Sequence, residues 1–149
     1  MTIKETPPFY ALTYAAQTTL AGLNQFGQVI QSLCTEADRM KVTQAGDLQW
    51  NYYNIDGKPE TVFTLEVALP IAEKDAESSE FALKQIPSFK CLSLIHEGPW
   101  ETLPQAYEKA MGYLTANGLT MTNECREIYR TMNGDKGADN ITEVQIGIH

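Results

Sequence analysis

Residues 7–33 read PPFYALTYAAQTTLAGLNQFGQVIQSL, and residues 87–114 read PSFKCLSLIHEGPWETLPQAYEKAMGYL. At a shift of 80 residues the two segments agree at Pro7 and Pro87, Phe9 and Phe89, Leu12 and Leu92, Leu23 and Leu103, and Gln25 and Gln105. Further along, LEVALPI at 65–71 lies over TEVQIGI at 142–148 at a shift of 77. The chain therefore reads as two structural copies of about 70 residues, too few and too long for a solenoid.

Both copies show the same order of hydrophobic patterns. In the first copy, residues 9–17 are apolar without a helical period and follow two prolines, which predicts a strand. Thr18 or Thr19 is positioned to cap a helix whose apolar residues recur every three or four positions. Residues 48–55 and 61–69, separated by an Asp-Gly turn, predict a hairpin.

The second copy repeats this order with clearer boundaries. Its predicted elements are strand segments at 81–86 and 89–97, a helix from a capping box at 102–105 to Asn117-Gly118, and strands at 124–131 and 141–148. A proline in the first turn of this helix strengthens its predicted start.

These elements predict an α+β fold in a single domain over residues 1–149. Two βαββ units, at about 7–71 and 81–149, are related by a pseudo-two-fold axis and joined by a charged linker at 72–80. We expect a curved, mainly antiparallel sheet with the two helices packed on one face.

Composition narrows the function. The 149 residues are 43% hydrophobic and 20% charged, as in a globular domain. A net charge of −8 argues against direct nucleic-acid binding and is compatible with small cationic ligands, which an acidic surface would attract. We see no signal peptide and no apolar run near the ~18 residues of a membrane span. Cys34, Cys91 and Cys125 have no paired spacing, which predicts free thiols and a cytoplasmic protein.

The sequence contains few of the residue patterns that are typical of catalytic or cofactor-binding sites. The sequence has only two histidines, His96 and His149, so it gives little support to a Ser/His/Asp or Cys/His catalytic site. No His/Cys cluster has metal-ligand spacing, Asp135 and Asp139 do not fit an EF-hand, and no glycine-rich phosphate loop is present. His96 precedes a Gly-Pro turn, where a strand-end polar role is the simpler explanation. We therefore predict no catalytic residue, no metal and no cofactor.

One carboxylate stands out in the segment CREIYRT at 125–131. In a strand, Glu127 shares a face with Cys125 and Tyr129, whereas Arg126 and Arg130 lie on the other face. Two interpretations remain. Glu127 is either a solvent-exposed partner of a neighbouring arginine, or a buried carboxylate flanked by aromatic rings, which would attract an organic cation.

The repeat adds candidates to this site. With Tyr53 placed over Tyr129, Asn51 falls at the position of Glu127, and a pseudo-two-fold axis would bring the two pairs together. Trp100 lies at the start of the second helix and Tyr107 lies two turns later. For both residues, packing in the hydrophobic core is the alternative to contact with a ligand. The predicted ligand-binding residues are Asn51, Tyr53, Trp100, Tyr107, Glu127 and Tyr129.

IHEGPWETLPQAYEKAMGYLTANGL at 95–119, REIY at 126–129 and TEVQIGI at 142–148 together resemble the GyrI-like small-molecule-binding domain. This is the effector-binding module of bacterial multidrug-responsive transcription activators and of a stand-alone gyrase inhibitor. The family usually has His-x-Gly-Pro-Tyr, a helical Ala-Tyr, Glu-Ile-Tyr in a strand, and Thr-Glu opening the last strand. The chain departs at Trp100, where the family usually has tyrosine. The resemblance covers residues 81–148 well and the first half only in outline.

The resemblance implies a duplicated βαββ fold with a central pocket, a glutamate on its floor and aromatic walls. It places Glu127 at the family's Glu-Ile-Tyr glutamate, which contacts lipophilic cations. The activators carry an N-terminal helix-turn-helix region that this chain lacks, so we expect a stand-alone module. Its implied partners are hydrophobic cationic small molecules, with transcription machinery or gyrase as candidate protein partners.

Three functions compete at this point. The first is a non-enzymatic module that binds hydrophobic cations in an acidic, aromatic pocket. The second is a hydrolase of reactive small-molecule toxins, in which Glu127 acts as general base and Tyr53 or Tyr129 assists. The third is an interaction protein of the gyrase-inhibitor type with a vestigial pocket.

Overall fold

The computed structural model describes residues 1–78, 80–132 and 137–149. Ser79 of the linker and residues 133–136 of the last loop, with Asp135, lie outside the described residues. The strands and helices are β1 (Thr2–Thr6), β2 (Phe9–Thr18), α1 (Gly27–Met40), β3 (Gln49–Tyr53), β4 (Phe63–Pro70), β5 (Ala82–Ile86), β6 (Phe89–Glu97), α2 (Leu103–Ala116), β7 (Met121–Thr131) and β8 (Ile141–Ile148). In the described part of the chain, no helix is long and apolar enough to cross a membrane.

The eight strands of the described residues form one antiparallel sheet in the order β1-β6-β8-β7-β3-β4-β2-β5. Exchanging β1 with β5, β2 with β6, β3 with β7, and β4 with β8 gives the same order read from the opposite edge of the sheet. A pseudo-two-fold axis therefore passes between β3 and β7. This confirms the predicted α+β fold and its duplication.

One face of the sheet carries the main core and both helices. Leu65 and Val67 of β4 and Leu92 of β6 point from the sheet into this core, where Leu33 of α1 and Ala110 of α2 meet them. All five are at most 1% exposed. Each contributes apolar area removed from water, which is the main force that holds the helices on this face.

The first strand, β1, was not predicted from the sequence. Its residues TIKET lie over ALKQI of β5 at the same shift of 80 that relates the rest of the repeat. β1 pairs with β6 of the second half, and β5 pairs with β2 of the first half. The first strand of each half therefore pairs with a strand of the other half.

Two short links force the sheet to curl. β1 and β2 are six strand spacings apart, roughly 29 Å in a flat sheet, yet Pro7 and Pro8 alone connect them and span about 11 Å. The same holds for β5 and β6, joined by Pro87 and Ser88. The links cross behind the sheet, where the carbonyl of Pro87 accepts a hydrogen bond from Arg126 Nη2 at 3.3 Å. On this second face, Asn51, Glu66, Arg126 and Glu143 are buried.

Both helices begin with a 3₁₀ segment, at Leu20–Phe26 and Trp100–Thr102, and neither has the predicted cap. Thr19 makes no side-chain capping hydrogen bond. Thr102 Oγ1 donates to the carbonyl of Pro99 at 2.7 Å, so it accepts from His96 Nε2 at 2.8 Å. The capping-box prediction was wrong because the preceding turn already uses this hydroxyl. His96 thereby holds the turn that carries Trp100.

Candidate functional site

A cavity of about 1190 Å³ lies between the helix starts and the centre of the sheet. It is somewhat larger than the roughly 300–1,000 Å³ of ordinary ligand pockets. Its lining comes from both halves: Leu20, Leu23, Asn24, Gly27, Ile30 and Gln31 near α1; Trp50, Tyr52, Ile55, Asp56 and Gly57 from β3 onward; Trp100, Leu103, Pro104, Tyr107, Glu108 and Met111 near α2; and Met121, Cys125, Glu127, Tyr129 and Ile146 from β7 and β8.

Glu127 lies on the floor of this cavity and is 7% exposed. Strand alternation in β7 puts it on the same face as Tyr129, and β3 presents Tyr52 beside it. Glu127 Oε1 accepts hydrogen bonds from Tyr129 at 2.8 Å and Tyr52 at 3.1 Å, and Oε2 accepts a short one from Tyr107 of α2. Three of the roughly four acceptor positions of the carboxylate are therefore filled.

Burial dominates the ionisation of this cluster. Loss of water raises the pKa of Glu127, and the hydrogen bonds from the three tyrosines oppose that rise only in part. Burial, followed by the nearby Glu127 charge, raises the pKa of Tyr52, Tyr107 and Tyr129 well above their usual range. The tyrosines therefore stay neutral hydrogen-bond donors at neutral pH.

Aromatic rings form the walls beside the carboxylate. The ring of Trp100 meets that of Tyr129 edge-on at 5.5 Å between centroids, and Trp50 meets the same ring at 6.3 Å. Among the described residues that line the cavity, Asp56, Glu108 and Glu127 are acidic and none is basic. The cavity thus combines apolar and aromatic surface with negative charge that has no cationic partner inside it.

A model of the GyrI-like small molecule binding domain matches residues 1–149. The chain belongs to this family. It matches no curated protein sequence. Among solved structures, it is similar to the EcmrR C-terminal domain, with a TM-score of 0.80 and 20% identity over 99% of this chain and 96% of that one.

Two other structures share the GyrI-like fold at lower identity. SAV2435 bound to tetraphenylphosphonium has a TM-score of 0.72 and 11% identity, over 99% of this chain and 93% of that one. A hydrolase encoded by lin2189 from Listeria innocua has a TM-score of 0.66 and 14% identity, over 99% and 91%. At these identities the likeness concerns the fold alone.

In this GyrI-like domain, the two halves line the cavity at equivalent positions with different side chains. The pairs related by a shift of 80 are Leu20 and Trp100, Leu23 and Leu103, Asn24 and Pro104, Gly27 and Tyr107, and Gln31 and Met111. On the sheet, a shift of 77 relates Tyr52 to Tyr129 and Trp50 to Glu127. The second half therefore supplies the buried carboxylate of Glu127 and two of the three tyrosines that donate to it, and the first half has leucine and glycine where the second half has Trp100 and Tyr107.

The structure brings four of the six predicted residues to the cavity: Trp100, Tyr107, Glu127 and Tyr129. The prediction for Asn51 and Tyr53 was wrong. Asn51 pairs with Arg126 across β3 and β7 and lies on the opposite face, where its amide meets Glu66 at 3.4 Å. Tyr53 donates to Glu66 Oε1 at 2.8 Å on that same face. A one-residue error in the alignment of β3 reversed both side chains.

The residues that take their place are Trp50 and Tyr52, which sequence reasoning missed. Trp50 pairs directly with Glu127, and Tyr52 donates to its carboxylate. The sequence contains a pattern that identifies Tyr52. The shift of 77 that relates β4 to β8 also places Tyr52 over Tyr129, whereas the shift applied to β3 was one residue shorter.

Proposed function

We propose that this domain binds hydrophobic cationic small molecules in its central cavity. The observation that carries the proposal is a buried carboxylate in an aromatic cavity whose described lining contains no basic side chain. Glu127 faces the positive charge of the ligand, and the rings of Trp50, Trp100 and Tyr129 pack against its body.

The hydrogen bonds around Glu127 fit a cation without N–H groups. With three tyrosine hydroxyls already donating to it, the carboxylate has little acceptor capacity left for an ammonium or guanidinium group. A quaternary ammonium or phosphonium ion needs no such acceptor and interacts through charge and ring contacts alone. Tetraphenylphosphonium, the ligand named in the SAV2435 structure, is such an ion.

Calorimetric titration tests charge recognition directly. We expect tetraphenylphosphonium to bind, and the uncharged triphenylphosphine oxide to bind at least about ten-fold more weakly, because only the cation gains from the buried carboxylate. Equal affinity for the two compounds would remove the case for cation recognition.

The variant Glu127→Gln keeps the side-chain shape and removes the charge. We expect cation affinity to fall by about 1.5–3 kcal/mol, which is roughly ten- to a hundred-fold. The free energy of unfolding should stay level or rise slightly, because a buried charge without a cationic partner is lost. The matched control is Glu124→Gln, on the same strand but the opposite face, which should leave cation affinity unchanged. Unchanged affinity in Glu127→Gln would show that this carboxylate is not the receptor.

A hydrolase is the second candidate, favoured by a carboxyl of raised pKa beside neutral tyrosine donors. In that case Glu127 takes a proton from an attacking water, and a tyrosine hydroxyl protonates the leaving group. Glu127→Gln would then abolish turnover of a strained electrophile while its binding survives. A gyrase-inhibitor role would instead appear as inhibition of supercoiling by a variant that no longer binds cations.

A further inference from the structure

The two halves of the cavity differ most at one pair of helical positions. At the shift of 80, Gly27 of α1 is the counterpart of Tyr107 of α2, and both residues line the cavity. Tyr107 fills its side with a ring and donates to Glu127. On the other side, glycine leaves the equivalent space empty.

Gly27 is directed into the cavity rather than away from it. Ile30 and Gln31 stand three and four residues after it in α1 and line the same cavity, as does Leu23 of the preceding 3₁₀ segment. Positions at this spacing share one face of a helix. A side chain at position 27 would therefore extend between these three residues.

Neither the backbone nor the packing requires glycine at this position. Its φ of −59° and ψ of −33° are those of an ordinary helix, which any residue adopts. A Cβ atom built on Gly27 meets no atom within 4 Å. Glycine also weakens a helix relative to alanine. The local structure would thus accept, and even favour, a larger residue, and what glycine contributes is open space.

We propose that Gly27 determines which ligands the cavity accepts, by leaving room for a bulky apolar arm opposite Tyr107. The ligand then lies across the pseudo-two-fold axis. Its charged end lies near Glu127 and Tyr107, and its apolar arm lies between Leu23, Gly27 and Ile30. The position of the charged end depends on the proposed function, whereas the position of the apolar arm depends only on the shape of the cavity.

The test is a size series at position 27. Gly27→Ala and Gly27→Leu should weaken the binding of tetraphenylphosphonium in that order, with Leu raising its Kd about ten-fold or more through steric overlap. The compact cation tetraethylammonium should change by less than about two-fold, because it does not reach the filled space. The neutral dye Nile red, bulky and uncharged, should weaken together with tetraphenylphosphonium.

Gly112→Leu is the matched control. Gly112 is also helical, its Cβ would also meet no atom within 4 Å, and it does not line the cavity. This variant should leave all three affinities unchanged. Thermal unfolding of each variant verifies that it is folded. If Gly27→Leu does not fold, the comparison of Gly27→Ala with the wild type decides the proposal.

The outcomes separate this proposal from the proposed function. If Gly27→Leu leaves tetraphenylphosphonium unchanged, or weakens both cations equally, the role of Gly27 is overturned and cation binding stands. If the wild type binds only Nile red, and Gly27→Leu weakens it, cation binding falls and the role of Gly27 stands. If the wild type binds none of the three probes, both proposals fall.

Discussion

Burial and hydrogen bonding act in opposite directions on the carboxyl group of Glu127. Its removal from water raises its pKa, and the hydroxyls of Tyr52, Tyr107 and Tyr129 lower it again without cancelling the rise. The folded-state pKa therefore lies above that of the unfolded chain. The charged form is disfavoured in the empty cavity, and a bound cation would stabilise it.

This balance predicts opposite pH dependences for stability and for binding. The contribution of Glu127 to stability is fully present below its unfolded pKa and is lost as the pH rises through the raised folded pKa. Over the same window the affinity for tetraphenylphosphonium should increase, because protons and the cation compete for one carboxylate. Titration calorimetry from about pH 4 to pH 8 measures the affinity.

Glu127→Gln provides the control for this pH dependence. Without the carboxyl group, cation affinity should depend much less on pH across the same range, with only the effects of the other cavity carboxylates, Asp56 and Glu108, and of surface charges remaining. A wild-type affinity that does not change with pH would mean that the cation does not sense the ionisation of Glu127.

Strand alternation explains how far the site could be predicted. The segment at 125–131 contains enough apolar and charged residues to put Glu127 and Tyr129 on one face, and the structure places them there. The first half offered the dipeptide Tyr52-Tyr53, and either tyrosine could be aligned with Tyr129. Successive side chains of a strand point to opposite faces. The alignment of Tyr53 instead of Tyr52 with Tyr129 therefore assigned the side chains of β3 to the wrong faces of the sheet.

At the scale of elements, the exchanged strands β1 and β5 are held by equivalent ion pairs. Lys4 of β1 reaches the buried carboxylate of Glu143 at 2.6 Å, and Lys84 of β5 reaches that of Glu66. Each lysine comes from one half of the chain and each glutamate from the other. The pairs therefore join the halves along the back face of the sheet.

Glu143 accepts more hydrogen bonds than its counterpart. Burial by itself would raise its pKa, but donors on Gln145, Lys4, Ser93 and Arg130 outweigh burial and lower that pKa to about 2. Because the folded pKa is depressed, the stabilisation is present above the unfolded pKa. It is lost as the pH falls from there through about 2.

Glu143→Gln should loosen β1 selectively. We expect the free energy of unfolding to fall by about 1–3 kcal/mol at neutral pH, less than for a fully buried pair because Lys4 and Arg130 are half-exposed. Hydrogen exchange measured by NMR should speed up at the amides of Thr2–Thr6 more than in β5. The control, Glu66→Gln, should reverse the pattern and loosen Ala82–Ile86. Equal exchange in both strands for both variants would contradict the assignment.

The sequence predicted most elements because their patterns are local. Hydrophobic patterns over nine or more residues are enough to identify α1, α2, β2 and β6. β1 has only five residues with one apolar side chain among them, and its partner strand lies far away in the chain. Its position depends on pairing with β6, which no local pattern records.

At the scale of the whole molecule, strand exchange makes the two halves mutually dependent. The first half without the second has no partner for β1 or for the inner edge of β3, and the second half without the first has no partner for β5 or for the inner edge of β7. The cavity also takes its walls from both halves. Folding should therefore be one cooperative event, although the repeat suggests two units.

A cut in the linker tests this interdependence. We expect a protease site inserted between Asp75 and Ala76, outside all described strands and beside the exposed residues Lys74, Asp75 and Glu77, to be cleaved without loss of structure. The fragments should co-elute in size-exclusion chromatography and still bind tetraphenylphosphonium, because the sheet pairs each fragment's first strand with the other. Their melting temperature should fall on dilution, since unfolding now separates two chains. Each fragment, purified in denaturant and refolded alone, should show no cooperative transition. A fragment that folds alone, or fragments that separate under native conditions, would show that the exchanged strands do not hold the halves together.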